Sequence, residues 1–320
     1  MLSRSRSRCT TVALAAALSC FASRAHAQSA APAASTPSPA EARARYALPW
    51  VIRPAIAPTL ARVETTINAR RDGVSAVTLL TAGAAIIPAK LGVYARIGVT
   101  HSMLATNNPA TNQIATGAVA NPLLFALFTP EIASGLRLSL ALAATIPVGT
   151  GGGDAPSALS ASSIASGPMT RSAMDNALFA VNYAAIAPGA SLAYLIRGLT
   201  FQVDVTVFQL FRTRGERSPS ATDALRTNFT GGLSVGYLLH PMLTVSAEVH
   251  YQHWISAPNL LIAPSAPPPN QLSATVGVRA NIALSRTVLA RPGIAFSMGL
   301  GGAMADRECK IVHLDAPITF

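Results

Sequence analysis

The residue types best suited to acid–base chemistry are Glu248 and His250, two positions apart, together with Asp204 upstream. A carboxylate beside an imidazole can move a proton, and with an adjacent nucleophile it would form the core of a hydrolase site. No Gly-x-Ser-x-Gly elbow accompanies them, and Ser246 and Ser273 belong to no nucleophile motif. His250 and His253 fall on opposite parities of an alternating stretch, so they point to opposite faces and do not share a metal. Gly149-Thr150-Gly151-Gly152-Gly153-Asp154 is as glycine-rich as a phosphate loop. It lacks the Gly-Lys-Ser/Thr ending that would hold phosphates, and it reads as a flexible exit from a strand. The charged groups therefore read first as structural ion pairs and only second as catalysts. No cofactor, no metal and no enzymatic activity is expected.

The elements that carry these groups repeat with a period of two. In 199–213, Leu199, Phe201, Val203, Val205, Val207 and Phe211 oppose Thr200, Gln202, Asp204, Thr206 and Arg212. In 243–254, Leu243, Val245, Ala247, Val249 and Tyr251 oppose Thr244, Ser246, Glu248, His250 and Gln252. Residues 229–239, 272–282, 136–142 and 91–99 follow the same scheme, with shorter matches near 60–70 and 188–197. Such alternation sends one set of side chains to each face of a sheet. Stretches near 74–87, 116–129 and 287–300 are apolar on both parities in places. Short links and long loops alternate along the chain, the asymmetry of membrane barrels. The expectation is an all-β fold, an antiparallel transmembrane β-barrel of about 12 strands with short periplasmic turns and long outer loops.

Composition agrees. The chain is 50% hydrophobic and only 12% charged, roughly half the charge of an ordinary soluble domain. A helical rival fails: the uncharged stretch 177–196, long enough to cross a bilayer as a helix, is interrupted by Pro188-Gly189. Arg4, Arg6 and Arg8, the apolar stretch 12–18 and Ala25-His26-Ala27 read as a cleaved signal. The expected organisation is a signal peptide over 1–27, a disordered Ala/Pro/Ser-rich linker over 28–48 and an outer-membrane barrel over 49–320. Loss of four arginines with the signal lowers the formal charge from +11 to +7. The remaining basic residues are scattered singly, so nucleic acid is not an expected partner. Only Cys309 survives processing, too few for a disulfide or a thiolate cluster.

On a barrel the polar parity faces the lumen, because a charge on the lipid side costs roughly 2–4 kcal/mol at midplane. Arg96, Arg137, Asp204, Glu248, His250, Arg279 and Arg291 are the expected lumen-lining residues. Two readings stay open: a mildly cationic passage for small solutes, or a closed ladder of ion pairs inside a structural or surface-binding barrel. A lipid-acting enzyme is a third. Residues 156–187 read equally as an inserted helix, a loop or a further hairpin. The last residues, 310–320, alternate without a break and end on Phe320, the expected signal for barrel-assembly machinery. The expected location is the outer membrane of a Gram-negative bacterium, with outer-membrane lipid as the surrounding partner.

Several segments carry a resemblance. They are Met174-Asp175-Asn176-Ala177, Ala180-Val181-Asn182, Phe201-Gln202-Val203-Asp204, Arg226-Thr227-Asn228, Gly236-Tyr237, Glu248 with Tyr251-Gln252-His253-Trp254, and Ile311-Val312-His313-Leu314-Asp315-Ala316-Pro317-Ile318. Together they resemble uncharacterised bacterial outer-membrane β-barrel proteins. They are loosely similar to outer-membrane proteins associated with aromatic-compound degradation. The resemblance spans most of the mature chain and implies a barrel and a passage for small molecules. It carries over no catalytic residue.

Overall fold

The computed structural model describes residues 46–104, 114–215, 224–256 and 270–320. The expected signal, 1–27, lies outside these residues, as does most of the expected linker. The linker's last three positions, Tyr46, Ala47 and Leu48, are buried. They belong to a segment that enters the barrel.

Sixteen strand segments form one antiparallel sheet. They are β1 (Leu60–Arg70), β2 (Gly73–Ile87), β3 (Leu91–Leu104), β4 (Ile114–Val119), β5 (Leu123–Phe128), β6 (Glu131–Ala133), β7 (Leu136–Thr145) and β8 (Tyr183–Ile196). After these come β9 (Leu199–Arg212), β10 (Leu225–His240), β11 (Leu243–Trp254), β12 (Asn270–Ala280), β13 (Ile282–Ala283), β14 (Leu289–Ala290), β15 (Gly293–Gly301) and β16 (Lys310–Thr319). Each long strand pairs with its sequence neighbour, and β1 pairs with β16 from Leu60↔Thr319 to Ala69↔Lys310. That pairing closes a 12-strand barrel and leaves no sheet edge between the first and last strands. β4 and β5 form one crossing, interrupted at Ala120-Asn121-Pro122, where Pro122 has no N–H to donate. β6, β13 and β14 are short extensions at hairpin ends.

Alternation inside the strands produces two unlike surfaces. On β9, Phe201, Val203 and Val205 are about two-fifths exposed on the outside, while Thr200, Gln202 and Asp204 are buried inside. No helix among the described residues is long and apolar enough to cross a membrane; the strands do the crossing. Tyr194, Phe201, Tyr237 and Phe320 face outward at one end, and Phe211 and Tyr251 at the other. Two aromatic girdles at opposite interfaces result. The first end carries the tight turns. At 197–198 both residues have positive φ (47° at Arg197, 84° at Gly198), the backbone a two-residue hairpin requires. The long connections leave from the second, loop end.

Residues 156–187 resolve into a lumenal insert followed by a strand. Helices α1 (Ala158–Thr170) and α2 (Asn176–Phe179) fold in from the loop end, and β8 then begins at Tyr183. Ser163 of α1 hydrogen-bonds Thr100 (2.9 Å) and Thr170 hydrogen-bonds Ser75 (2.7 Å). Ile164, Leu178, Phe179 and Val181 pack against Val77, Leu79, Ala118 and Leu123 of the wall. This explains why 74–87 and 116–129 are apolar on both parities: one face meets lipid and the other meets the insert. β8 is also longer than alternation suggests. It runs through Pro188, and its ladder with β9 skips from Ile186↔Gln209 to Gly189↔Thr206 around the missing donor. A third short helix, α3 (Ala303–Asp306), precedes β16.

Candidate functional site: the occupied lumen

The second insert is the extended segment 46–58, which enters at the turn end and leads into β1. An extended chain inside a barrel has no strand partner of its own, so its backbone groups must be satisfied by wall side chains. They are. The N–H groups of Trp50 and Val51 donate to the Glu248 carboxylate, the second over 3.1 Å. The Ala47 N–H donates to Thr200 Oγ1 (3.0 Å) and the Ala57 N–H to Thr129 Oγ1 (3.1 Å). On the acceptor side, Arg291 donates to Tyr46 C=O (3.0 Å), Arg279 to Pro49 C=O (3.2 Å) and Arg62 to Trp50 C=O (2.8 Å). Gln202 donates to Arg53 C=O over 2.7 Å.

Side chains fasten the same segment. Arg53 grips Asp204 through Nε (3.1 Å) and Nη2 (2.7 Å). Trp50 is fully buried, donates from Nε1 to Ser246 Oγ (2.9 Å) and lies 3.6 Å beneath the Arg279 guanidinium. Tyr46 donates to Gln202 Oε1 (3.1 Å) and accepts from the Ala55 N–H (2.7 Å). Space for the segment comes from inward-facing glycines. A Cβ at Gly189 would lie 1.9 Å from Arg53 Nη1, one at Gly232 2.4 Å from Ile52, and one at Gly277 2.6 Å from Trp50.

The loop-end insert is fastened by charge. Arg171, just after α1, pairs with Glu64 of β1 and with Asp175 (2.8 Å), and Asp175 pairs with Arg96 of β3 (3.2 Å). Arg62 and Arg279 converge on Asp315, the first over 2.8 Å. Buried pairs of this kind are costly to break from one side, because the surviving charge is left uncompensated.

The seven residues expected in the lumen divide by partner. Asp204, Glu248, Arg279 and Arg291 are buried and hold segment 46–58. His250 is buried between Glu248 (Nε2, 2.7 Å) and Ser273 (Nδ1, 3.3 Å), and it orients the carboxylate. Arg96 serves the loop-end insert. Arg137 sits at the turn end, paired with Glu131 (2.8 Å). Strand periodicity could not find Arg53, Arg171 and Asp175, because none of them lies on a strand. Phe320 lies on the outer surface, its N–H bonded to Thr59 C=O over 3.0 Å. Among the described residues no group of three or more His, Cys, Asp or Glu could hold a metal ion.

Glu248, His250 and Ser273 thus make a contact chain resembling a relay. All three are at most 2% exposed, and Glu248 already accepts from two backbone amides.

The chain matches no protein-family model and no curated protein. Among solved structures, it is similar to an outer-membrane channel from Pseudomonas putida F1: 11% identity, TM-score 0.50, covering 86% of this chain and 97% of that one. It is also similar to the NanC porin (8% identity, TM-score 0.47, 81% and 98% covered). The KdgM porin gives 7% identity and a TM-score of 0.44, with 81% and 99% covered. At such identities the likeness is one of fold: the chain has the barrel architecture of outer-membrane proteins.

Proposed function

We propose that this protein is a non-enzymatic outer-membrane channel for small solutes, held shut in this conformation by its two inserted segments. One observation carries the reading. Several buried polar groups of the wall are satisfied by inserted chain and not by one another: Glu248, Asp204, Arg291 and Gln202 all bond to segment 46–58. Withdrawal of that segment would leave a polar, hydratable lumen instead of a collapsed one. Around the lumen's middle and turn end, Arg53, Arg62, Arg96, Arg171, Arg279 and Arg291 face Glu64, Asp175, Asp204, Glu248 and Asp315. The balance leans towards anions. A structural or surface-binding barrel is the second reading, favoured by the occlusion at both ends. Assembly through recognition of β16 and Phe320 belongs to the same proposal, as does a link to aromatic-compound degradation.

The test is conductance in planar bilayers under a salt gradient. The full chain is expected to conduct little and a variant lacking 46–57 to conduct stably, with anion preference that falls when Arg279 and Arg291 become Gln. A folded, heat-modifiable deletion variant that conducts no more than the full chain would refute the channel and favour the scaffold.

A further inference from the structure

Helix α1 is fastened less firmly than the rest of the loop-end insert. Its buried residues are Ser163, Ile164, Ser166, Gly167 and Thr170, so Ile164 is its only buried large apolar side chain. Hydroxyl pairs do the remainder, Ser163 with Thr100 and Thr170 with Ser75, and water can replace such bonds. α2 differs. All four of its residues are buried. Asn121 of the wall also donates to the carbonyls of Leu178 (2.8 Å) and Ala180 (2.9 Å).

The two ends of α1 are unlike. The glycine-rich run before it is fixed: the Thr150 N–H donates to Val119 C=O (2.9 Å), and the Val119 N–H to Thr150 Oγ1 (2.7 Å). The Gly153 N–H donates to Asn182 Oδ1 (2.8 Å). Residues 154–157, which follow, are exposed. After α1 the chain is strained. Ser172 and Ala173 both hold positive φ, 55° and 59°, where Cβ crowds the backbone. Both are buried, and Ser172 Oγ has no hydrogen-bond partner among the described residues. A strained backbone and an unsatisfied hydroxyl at one junction favour any conformation that frees it.

Against them stands Arg171, which pairs with Glu64 and donates to Asp175 through Nε (3.0 Å) and Nη2 (2.8 Å). Release of Arg171 would strand neither carboxylate, because Glu64 keeps Arg62 (3.4 Å) and Asp175 keeps Arg96 (3.2 Å). The penalty for opening a buried pair from one side is reduced once Arg171 reaches water.

We propose that residues 154–171 form a lid over the loop end of the lumen. The lid detaches as a unit about Ser172–Ala173, Arg171 is its latch, and α2 stays in place. This rests on the channel reading and deepens it, since the loop end opens without movement of segment 46–58. Detachment is measurable without conduction. α1 is 13 residues long and carries five hydroxyl residues, a glycine and a proline, so once off the wall it unravels and its amides exchange.

The experiment is deuterium exchange on the full-length, detergent-folded barrel. Peptides covering 158–170 should exchange at least about tenfold faster than those of β8 and β9. The double variant Ser172→Gly with Ala173→Gly relieves strain only in the attached state, so it should slow exchange of 158–170 about tenfold. The sign discriminates, because glycine in an unstrained junction adds freedom and speeds opening. Exchange of 158–170 in step with β8 and β9, or a glycine variant exchanging at the wild-type rate or faster, would overturn the lid. A reversible lock checks the same motion: Thr100→Cys with Ser163→Cys, in a Cys309→Ser background, replaces two hydroxyls already in contact. Oxidation should protect 158–170 and reduction restore exchange; equal exchange in both states of a formed disulfide would overturn the lid. In the variant lacking 46–57, oxidation of the same pair should lower conductance at least tenfold, and equal, non-zero conductance would overturn the lid as a barrier. A barrel whose α1 opens in this way but never conducts would keep the lid and overturn only the channel.

Discussion

Replacing Glu248 with alanine tests whether wall side chains, and not the covalent tether to β1, keep segment 46–58 in the lumen. The carboxylate accepts from two buried backbone amides, those of Trp50 and Val51, and from His250. A buried donor left without an acceptor costs about 1–3 kcal/mol. Two such donors, partly relieved by entering water, lower the free energy of segment release by about 3 kcal/mol. At about 1.4 kcal/mol per tenfold, release becomes on the order of a hundredfold more frequent. Amide hydrogen exchange reads this directly, since protection reports local opening. Deuterium uptake by peptides covering 46–57 should accelerate about a hundredfold, while β9 and β10 peptides keep wild-type rates. Glu248→Gln, which retains one acceptor oxygen, should fall between. Protection of 46–57 that changes less than threefold in Glu248→Ala, with the barrel intact, would refute the argument that this carboxylate anchors the segment.

Gly189→Ala should loosen the same segment from the other side. Its new Cβ would occupy the place of the Arg53 guanidinium, breaking the grip on Asp204 at a cost of about 1–3 kcal/mol. Faster exchange confined to residues near Arg53 is the expected readout, and wild-type exchange there would contradict the packing. Val205→Arg probes the outer surface. Val205 is 41% exposed, midway along β9 on the lipid-facing parity, so the charge should cost about 2–4 kcal/mol. Urea titration of the barrel in vesicles should show a lowered midpoint; an unchanged midpoint would mean this face does not meet lipid.

The strands were legible wherever each face met one kind of surroundings. Lipid outside and polar groups inside impose a strict period of two, so β9, β10, β11 and β16 could be read directly, together with which residues face in. Legibility failed where the inner face meets protein. Val77 and Leu79 of β2, and Phe208 and Leu210 of β9, are inward and apolar because they pack on the α1–α2 insert or its neighbours. A trace of the inserts was present in the inward glycines, Gly232, Gly236 and Gly277. A position that should carry a polar side chain but carries none is where another piece of chain comes close.

The sequence by itself therefore determined the barrel: its strand number to within about two, its lipid-facing surface and the polar character of its interior follow from short-range alternation and from the spacing of the turns. What occupies that interior was decided only by the tertiary structure. Glu248 meets Trp50 from 198 residues away, and Arg62 meets Asp315 from 253. Partners so distant leave no periodic mark on either segment. They arise when the closing of β1 on β16 brings the two ends of the chain around one lumen, where buried charges and unpaired backbone groups must find one another.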